Sequence, residues 1–511
     1  MNQILSIDFI NSFVVEITTL CIALLSVVFA SFVKNEGLKK NLFTIFSILS
    51  IALIAAIICY KHYDSTAYYD GMFLSYKKLR FAKGLMLGFL SLFVITCFYK
   101  KNYSFSIFAL TLLCFIGGCF MLSATSFLSL YLSLELQAIP VYFIAASGIK
   151  ITNKDGFEGV LKYFIISALL SCLMLYGISL IYFNYGQLDF SEITAAAMIN
   201  ISSVNSGANV SGGSMELSSI IYAIANKPSV VFGFCLILFA LFGKLSLAPF
   251  HFWAPDLYSS VKKNNLFFIA SLPKVALLVA LAEVLRLIYV VVGQDAAQTI
   301  DLVCLATIGL SFTFGSFGGI RQANIKRLLA YSGILNAGFL VLAVFTSVKS
   351  SEGFEILTPL IYLTFYGLGI FSVLSLLSVA EVKSRCKYKT LESLNGLGKS
   401  YPLLSFLILC SIFSTIGIPP FAGFITKFAV LYSAISTGFL TIAVCGVVAS
   451  VIACFYYLKI LHHMYFKDAL NPNHTKPHCS LASKLIISLN IAILVANVSL
   501  IFVMPKISGL M

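Results

Sequence analysis

The stretch VVFGFCLILFALFGKLSLAPFHFWAPDLYSSVKKNNLFFIASLPKVALLV, residues 230–279, contains two long apolar runs that each hold a lysine. The first run ends at Lys244 and is followed by Pro249 and Pro255, whereas Lys274 lies well inside the second. A lysine at the centre of a membrane helix costs about 2.5–3.5 kcal/mol even on insertion scales. Two such lysines on successive runs therefore need a functional reason, and the pattern favours ion conduction.

The composition is that of a membrane protein with many helical crossings. Of the 511 residues, 59% are hydrophobic and only 11% are charged, and the mean hydropathy is +0.97. Soluble domains typically have about 45–50% apolar residues. The alternating pattern of a membrane β-barrel is missing from the sequence. We therefore predict an all-α polytopic membrane protein.

Several classes of function are not indicated by the sequence. The 13 cysteines occur singly, without the spacing of a zinc or iron–sulfur site. No glycine-rich phosphate loop follows a strand pattern. The formal net charge of +14 fits basic loops on the cytoplasmic side of a membrane better than nucleic-acid binding. We expect no cofactor-binding residues and no metal ligands in this chain.

Apolar runs of about 20 residues predict fourteen membrane spans. Their limits are 9–33, 41–60, 81–99, 103–122, 124–148, 158–183, 229–258, 265–292, 302–319, 328–347, 357–381, 401–435, 437–465 and 482–504. The first run lacks a basic start and is long enough to span, so no cleaved signal peptide is predicted. Loops after odd-numbered spans hold 21 of the 34 Lys and Arg residues, against nine on the opposite side. This asymmetry predicts that both termini lie outside.

Proline interrupts two spans that are too long for one straight crossing. The breaks are predicted at Ala248–Pro249 and at Gly417–Pro420, five spans apart. Discontinuous helices at matching places in two halves mark the midplane site of transporters built from inverted repeats. We therefore predict two inverted five-helix repeats. The predicted units are an N-terminal three-helix segment at 1–102, a first repeat at 103–292 with a polar Ser/Gly-rich loop at 189–227, a second repeat at 302–465 and a C-terminal helix at 466–511.

Four ionisable side chains inside apolar spans form the candidate site, namely Glu135, Lys244, Lys274 and Lys427. Burial weakens the hold of an amine on its proton and a nearby carboxylate strengthens it, so a Lys–Glu pair whose separation changes can release and rebind a proton. A row of lysines beside broken backbone can pass protons on without a cofactor. The structural alternative is that the lysines reach toward the headgroups, or that one of them simply pairs with the carboxylate.

Two further residues are candidates for the same relay. His251 follows the first break and could bridge water between Lys244 and Lys274, or it could be a hydrogen-bonded structural histidine. Lys162 lies about one turn inside span six, where reaching toward the inner surface is the default and a relay role the alternative.

Three stretches resemble a known family. FGKLSLAPFHFWAPDLY (242–258), RQANIKRLLAYSGILNAGF (321–339) and GIPPFAGFITKFAVLY (417–432) are similar to the subunit N family of bacterial respiratory complex I, the proton-pumping NADH:quinone oxidoreductase. Mitochondrial subunit 2 is the counterpart. The resemblance covers nearly the whole chain. The sequence departs from the family pattern after Asp256, at Asn336 where the family often has histidine, and in the length of the Ser/Gly-rich insertion.

The resemblance implies a fourteen-helix antiporter-like fold in the bacterial inner membrane, next to other membrane subunits of the complex. It also implies that Glu135, Lys244, Lys274 and Lys427 match the proton-channel residues of the family. Flavin and iron–sulfur clusters would belong to partner subunits, and NADH and quinone would be substrates of the complex.

Three other functions stay open at this point. A subunit of a multi-subunit sodium/proton antiporter would share the fold and most of the lysines. A stand-alone solute transporter would need a cluster of polar side chains around a charged anchor, which the sequence does not show. A structural scaffold with inert lysines is separated from a proton channel only by mutation.

Overall fold

The computed structural model describes residues 13–33, 36–60, 66–68, 72–75, 78–99, 104–149, 154–205, 228–350, 356–384, 386–468 and 481–507. Within these ranges, eleven helices are long and apolar enough to cross a membrane, or twelve if one bent pair counts as a span. The predicted polytopic helical class is therefore confirmed.

The N-terminal part contains three long helices and a small hairpin. The helices are α1 (Val14–Phe32), α2 (Glu36–Tyr60) and α3 (Lys78–Tyr99). Between α2 and α3, β1 (Thr66–Tyr68) pairs antiparallel with β2 (Phe73–Ser75).

The remaining helices follow in two groups. The first comprises α4 (Phe105–Ser123), α5 (Phe127–Ala146), α6 (Lys154–Tyr185), α7 (Phe190–Asn205), α8 (Pro228–Lys244), α9 (Trp253–Ser260) and α10 (Lys263–Val291). The second comprises α11 (Gln294–Ile320), α12 (Ile325–Lys349), α13 (Leu357–Ser384), a 3₁₀ turn (Glu392–Leu394), α14 (Leu397–Ser400), α15 (Pro402–Ile416), α16 (Ala422–Ser436), α17 (Leu440–Tyr465) and α18 (Leu481–Ile507).

The prediction of a polar loop at 189–227 is wrong in its first part, where α7 forms. The sequence there contains three consecutive alanines, which have the highest helix propensity. Phe190 anchors the start of α7 because its ring packs edge-on against Phe127, with 4.9 Å between ring centroids. The Ser/Gly-rich part of the predicted loop, residues 206–227, lies outside the described residues.

The first predicted break is confirmed between α8 and α9. The helix closes through a hydrogen bond of 3.0 Å from the N–H of Leu247 to the carbonyl of Phe242, and Ser246 adopts a left-handed φ of 69°. The freed N–H of Ala248 donates to the hydroxyl of Ser311 in α11 at 3.0 Å. Pro249 has no N–H and cannot continue the helical ladder. The chain therefore turns here with its backbone groups still bonded.

The second predicted break is confirmed between α15 and α16. Gly417 takes a left-handed φ of 88°, and the N–H groups of Gly417 and Ile418 bond to the carbonyl of Phe413 at 3.0 and 3.1 Å. Glycine at this position is the usual helix terminator because a left-handed residue without Cβ carries no steric penalty. Pro419–Pro420 then prevent an immediate restart.

Two helices form the interior of the described fold. α12 is the most buried of the candidate spans, since 94% of an 18-residue apolar stretch within it is buried. α10 packs on α3, α4, α12 and α13. Polar groups on these helices are shielded from lipid by the surrounding helices. This interior is where the lysines of the candidate site lie.

Candidate functional site

Lys244 and Glu135 form an ion pair between α8 and α5. The ammonium of Lys244 is 3.0 Å from Oε1 of Glu135, and the hydroxyl of Ser171 in α6 donates to the same carboxylate oxygen. Lys244 is the last residue of α8, so its side chain lies at the first break. The pair and the hydroxyl of Ser171 therefore join three helices beside the first break.

Lys274 shares a cavity with Lys244. The cavity has a volume of about 40 Å³ and is lined by both lysines together with Gln137, Ser167 and Tyr258. A volume of this size holds water, since one molecule needs roughly 10–15 Å³ measured in this way. Lys274 is 4% exposed, and its ammonium has no hydrogen-bond partner within the described part of the chain. The arrangement brings two lysines to one cavity large enough for water, and Glu135 adjoins it only through its ion pair with Lys244.

Lys427 lies at the second break. Its ammonium donates to the carbonyls of Thr415 and Ile416, at 3.2 and 2.8 Å, and lies 5.3 Å from the ring centroid of Phe339. These carbonyls end α15, where the helix dipole favours a cation. Lys427 also borders a lateral groove of about 450 Å³ between α16 and α17, beside Cys454. The lysine therefore connects the interior with one flank of the protein.

A buried polar network lies next to Lys427. A second, smaller cavity of about 10 Å³ is lined by Lys427, Asn336, Tyr362 and Tyr366. The hydroxyl of Tyr362 donates to Oδ1 of Asn336 at 2.7 Å, and Nδ2 of Asn336 donates to the carbonyl of Ser332 at 2.8 Å. The departure from the family pattern at Asn336 therefore leaves this position polar and hydrogen-bonded.

His251 and Lys162 are placed apart from the Lys244–Lys274 cavity. The ring of His251 is 4% exposed and packs against Phe252 and Phe314, at 4.6 and 4.9 Å between centroids. His251 is not among the residues that line the cavity. Lys162 is 45% exposed and pairs with Glu158 at 2.6 Å and Asp256 at 2.9 Å. It borders an open polar cleft of about 730 Å³.

An ion pair that the sequence did not suggest joins α1 to α3. The ammonium of Lys83 is 2.5 Å from Oε1 of Glu16, and both side chains are at most 3% exposed. Lys83 is one of the nine basic residues that the charge count places on the opposite side, although the predicted span 81–99 contains it. The sequence signal that could have indicated this ion pair is Glu16, a single acid inside the first apolar run. The lysine was therefore misplaced, since it lies on α3 and faces the interior.

Within the described ranges, no group of three or more His, Cys, Asp and Glu residues is arranged to hold a metal ion.

Two broken helices, each with a buried lysine beside its break, form an arrangement typical of membrane transport proteins. Consistent with this, the family described as "NADH:quinone oxidoreductase/Mrp antiporter, TM" matches residues 124–453. NADH-quinone oxidoreductase subunit N of Rickettsia prowazekii is 31% identical over 89% of this chain and 92% of its own length. The chain belongs to the NADH-quinone oxidoreductase subunit N family.

Solved structures share the fold. A chain of respiratory complex I from Thermus thermophilus superposes with a TM-score of 0.69 at 23% identity, covering 96% of this chain and 98% of that one. A chain of the Mrp complex from Dietzia superposes with a TM-score of 0.74 at 18% identity, covering 98% of this chain and 95% of that one. At these identities the likeness concerns the fold alone.

Proposed function

We propose that this chain is a membrane subunit of a proton-pumping NADH:quinone oxidoreductase and that it carries protons through Glu135, Lys244, Lys274 and Lys427. The observation that carries the proposal is the cavity shared by Lys244 and Lys274, with Glu135 paired to Lys244 at 3.0 Å. Other membrane subunits of the complex are its partners. NADH, quinone, flavin and iron–sulfur clusters act in those partners and drive the transfer from a distance.

In the proposed mechanism the Glu135–Lys244 pair is a switch. A displacement from a neighbouring subunit lengthens the 3.0 Å contact. The attraction that holds the proton on Lys244 then weakens, and the proton moves to Lys274 through water in the shared cavity. It continues to Lys427 and leaves toward the outer side, after which Lys244 is refilled from inside.

The proposed architecture has fourteen crossings and two inverted repeats. Eleven candidate spans together with α8–α9, α10 and α15–α16 make up the fourteen. α8 and α16 have only 17 and 15 residues, which is why each fails as a single span. With the basic loops inside, both termini lie on the outer side of the inner membrane.

Close helix contacts support the repeat. A Cβ on Gly117 in α4 would lie 2.5 Å from the backbone of Gln137 in α5, and one on Gly315 in α11 would lie 2.6 Å from the backbone of Leu335 in α12. Gly315 follows Gly117 by 198 residues, and Leu335 follows Gln137 by the same 198. The α4–α5 and α11–α12 pairs are therefore packed in the same register.

A sodium/proton antiporter subunit is the rival function. The likeness to the Mrp complex concerns the fold alone, whereas the relatives that are at least 30% identical over most of the chain carry the name subunit N. These names favour the oxidoreductase.

The proposed function is tested in membrane vesicles that contain the assembled oxidoreductase. Lys244→Met and Lys274→Met are each expected to reduce NADH-driven acidification by about tenfold or more, since each removes a proton carrier. Acidification should not depend on sodium. Normal acidification in both variants, with the complex assembled, would contradict the relay, and a strict sodium requirement would favour the antiporter.

A further inference from the structure

A gap separates the two lysine cavities. Lys244 and Lys274 line the cavity of about 40 Å³, whereas Lys427 lines the cavity of about 10 Å³, and the two sets of lining residues have no member in common. Under the proposed function a proton has to cross this gap. The residues that lie between the cavities therefore decide whether the lysines form one path.

Two tyrosine hydroxyls lie near each other in the gap. Tyr258 of α9 lines the larger cavity and Tyr366 of α13 lines the smaller one. A Cβ placed on Gly333 of α12 would be 3.1 Å from the hydroxyl of Tyr366 and 3.7 Å from that of Tyr258. The two hydroxyls are consequently no more than 6.8 Å apart. One or two water molecules span such a distance, because hydrogen-bonded oxygens are about 2.8 Å apart.

The bonding state of Tyr366 suits this position. Its side chain is 5% exposed, and its hydroxyl has no hydrogen-bond partner among the residues that the structure describes. Buried hydroxyls without a partner are rare and usually mark a water or a functional contact. The free hydroxyl lies against the same small space over Gly333 as the hydroxyl of Tyr258.

Gly333 occupies a distinctive place in the repeat. It follows Glu135 by 198 residues, the same interval that relates Gly315 to Gly117 and Leu335 to Gln137. Where α5 has a carboxylate, α12 therefore has no side chain. The missing side chain provides the room in which the two tyrosine hydroxyls converge.

We propose that Tyr258 and Tyr366 join the two lysine cavities across Gly333 and hand the proton from one to the other. The inference rests on the proposed function. Each hydroxyl accepts a hydrogen ion on the side of Lys274 and gives its own to the next oxygen toward Lys427, so the tyrosines stay neutral over a full transfer. Rotation about the C–O bond then resets each hydroxyl.

The test uses vesicles with the assembled oxidoreductase and a set of single and double variants. Tyr258→Phe with Tyr366→Phe should lower NADH-driven acidification about tenfold, which corresponds to about 1.4 kcal/mol in the barrier. Tyr456→Phe is the matched control, because its hydroxyl is also buried and without a partner in the described residues but lines neither cavity. It should leave acidification unchanged.

Rescue separates the lost hydroxyl from a packing defect. In Tyr366→Phe the oxygen that would lie 3.1 Å from a Cβ at position 333 is gone, so we expect Gly333→Ser to be accommodated and to return a hydroxyl to the gap. The double variant Tyr366→Phe with Gly333→Ser should recover at least half of the acidification that is lost in Tyr366→Phe alone. A loss that the serine does not restore would overturn the proposal.

The remaining outcomes are also decisive. Normal acidification in the tyrosine double variant overturns the tyrosine link, while loss in Lys274→Met in the same preparation keeps the lysine relay. Normal acidification in both overturns the proposed function as well. If the tyrosine double variant does not assemble, Gly333→Ala replaces it. Its methyl group fills the gap and should lower acidification about tenfold, and an unchanged rate would overturn the link.

Discussion

The ammonium of Lys244 is 3.0 Å from the carboxylate of Glu135, and the acid is the more exposed partner, at 27% against 7%. Glu135 lies on the flank of α5 where Leu132 and Ile139 are 58% and 51% exposed. The lysine is therefore enclosed by this chain, whereas the acid borders the lateral surface. A neighbouring subunit can reach the acid without disturbing the lysine.

Glu135→Gln is expected to lower proton pumping about tenfold or more, because an amide does not hold the ammonium of Lys244. An uncompensated buried charge costs about 3–5 kcal/mol, so the thermal stability of the purified complex should also fall. Glu135→Asp keeps the charge on a shorter side chain and should give an intermediate rate. Acidification in vesicles and melting of the complex report the two effects. Equal rates in the Gln variant and the parent would show that the pair is inert.

The Glu16–Lys83 pair is expected to act in stability rather than in transfer. Lys83→Met leaves Glu16 buried without its cation and should destabilise the protein by about 3–5 kcal/mol. The double variant Glu16→Leu with Lys83→Met removes both charges and should be close to the parent. Melting of the four proteins of the double-mutant cycle measures this. Loss of pumping in a stable double variant would instead place the pair in the proton path.

Gly117→Ala and Gly315→Ala are expected to impair assembly to a similar degree. Each methyl would lie 2.5–2.6 Å from the backbone of the next helix, so two helices have to separate. Gly88→Ala is the matched control, because nothing lies within 4 Å of its added Cβ. Native gels of solubilised membranes compare the three. A harmless alanine at Gly315 beside a damaging one at Gly117 would contradict equivalent packing.

Lys162→Gln is expected to leave pumping within about twofold of the parent. Lys162 is 45% exposed and is paired to Glu158 and Asp256 at an open cleft, where solvent screens the ion pairs. Lys274→Met in the same assay provides the contrast. A loss as large as that of Lys274→Met would bring Lys162 into the relay.

Sequence reasoning located the breaks because proline and glycine act locally. Gly417 ends α15 in a left-handed conformation that costs glycine nothing, and Pro249 lies in the break after α8. Proline alone does not decide a break, because Pro140 and Pro273 lie inside α5 and α10. The helix at Phe190–Asn205 was missed because the Ser/Gly-rich residues that follow it dominated the composition of the segment.

Other features of the site depend on tertiary contacts and leave no sequence signal. A tyrosine such as Tyr366 within an apolar run looks like any core aromatic, and only the fold brings its hydroxyl to Gly333. The pairing of Lys83 with Glu16, which lies 67 residues away, cannot be deduced from the neighbouring sequence. Pairings over such separations are set by helix packing, which periodicity does not encode.

The outward-facing carboxylate of Glu135 also bears on how the complex is built. In a lone copy of the chain the exposed part of this acid would face lipid, where a charged group is costly. An unassembled copy therefore exposes a charged group to lipid, and docking of the adjoining subunit covers it. Assembly of the complex and proton transfer would then both depend on the exposed part of the Glu135 carboxylate. A copy that lacks the adjoining subunit would be both less stable and unable to pump.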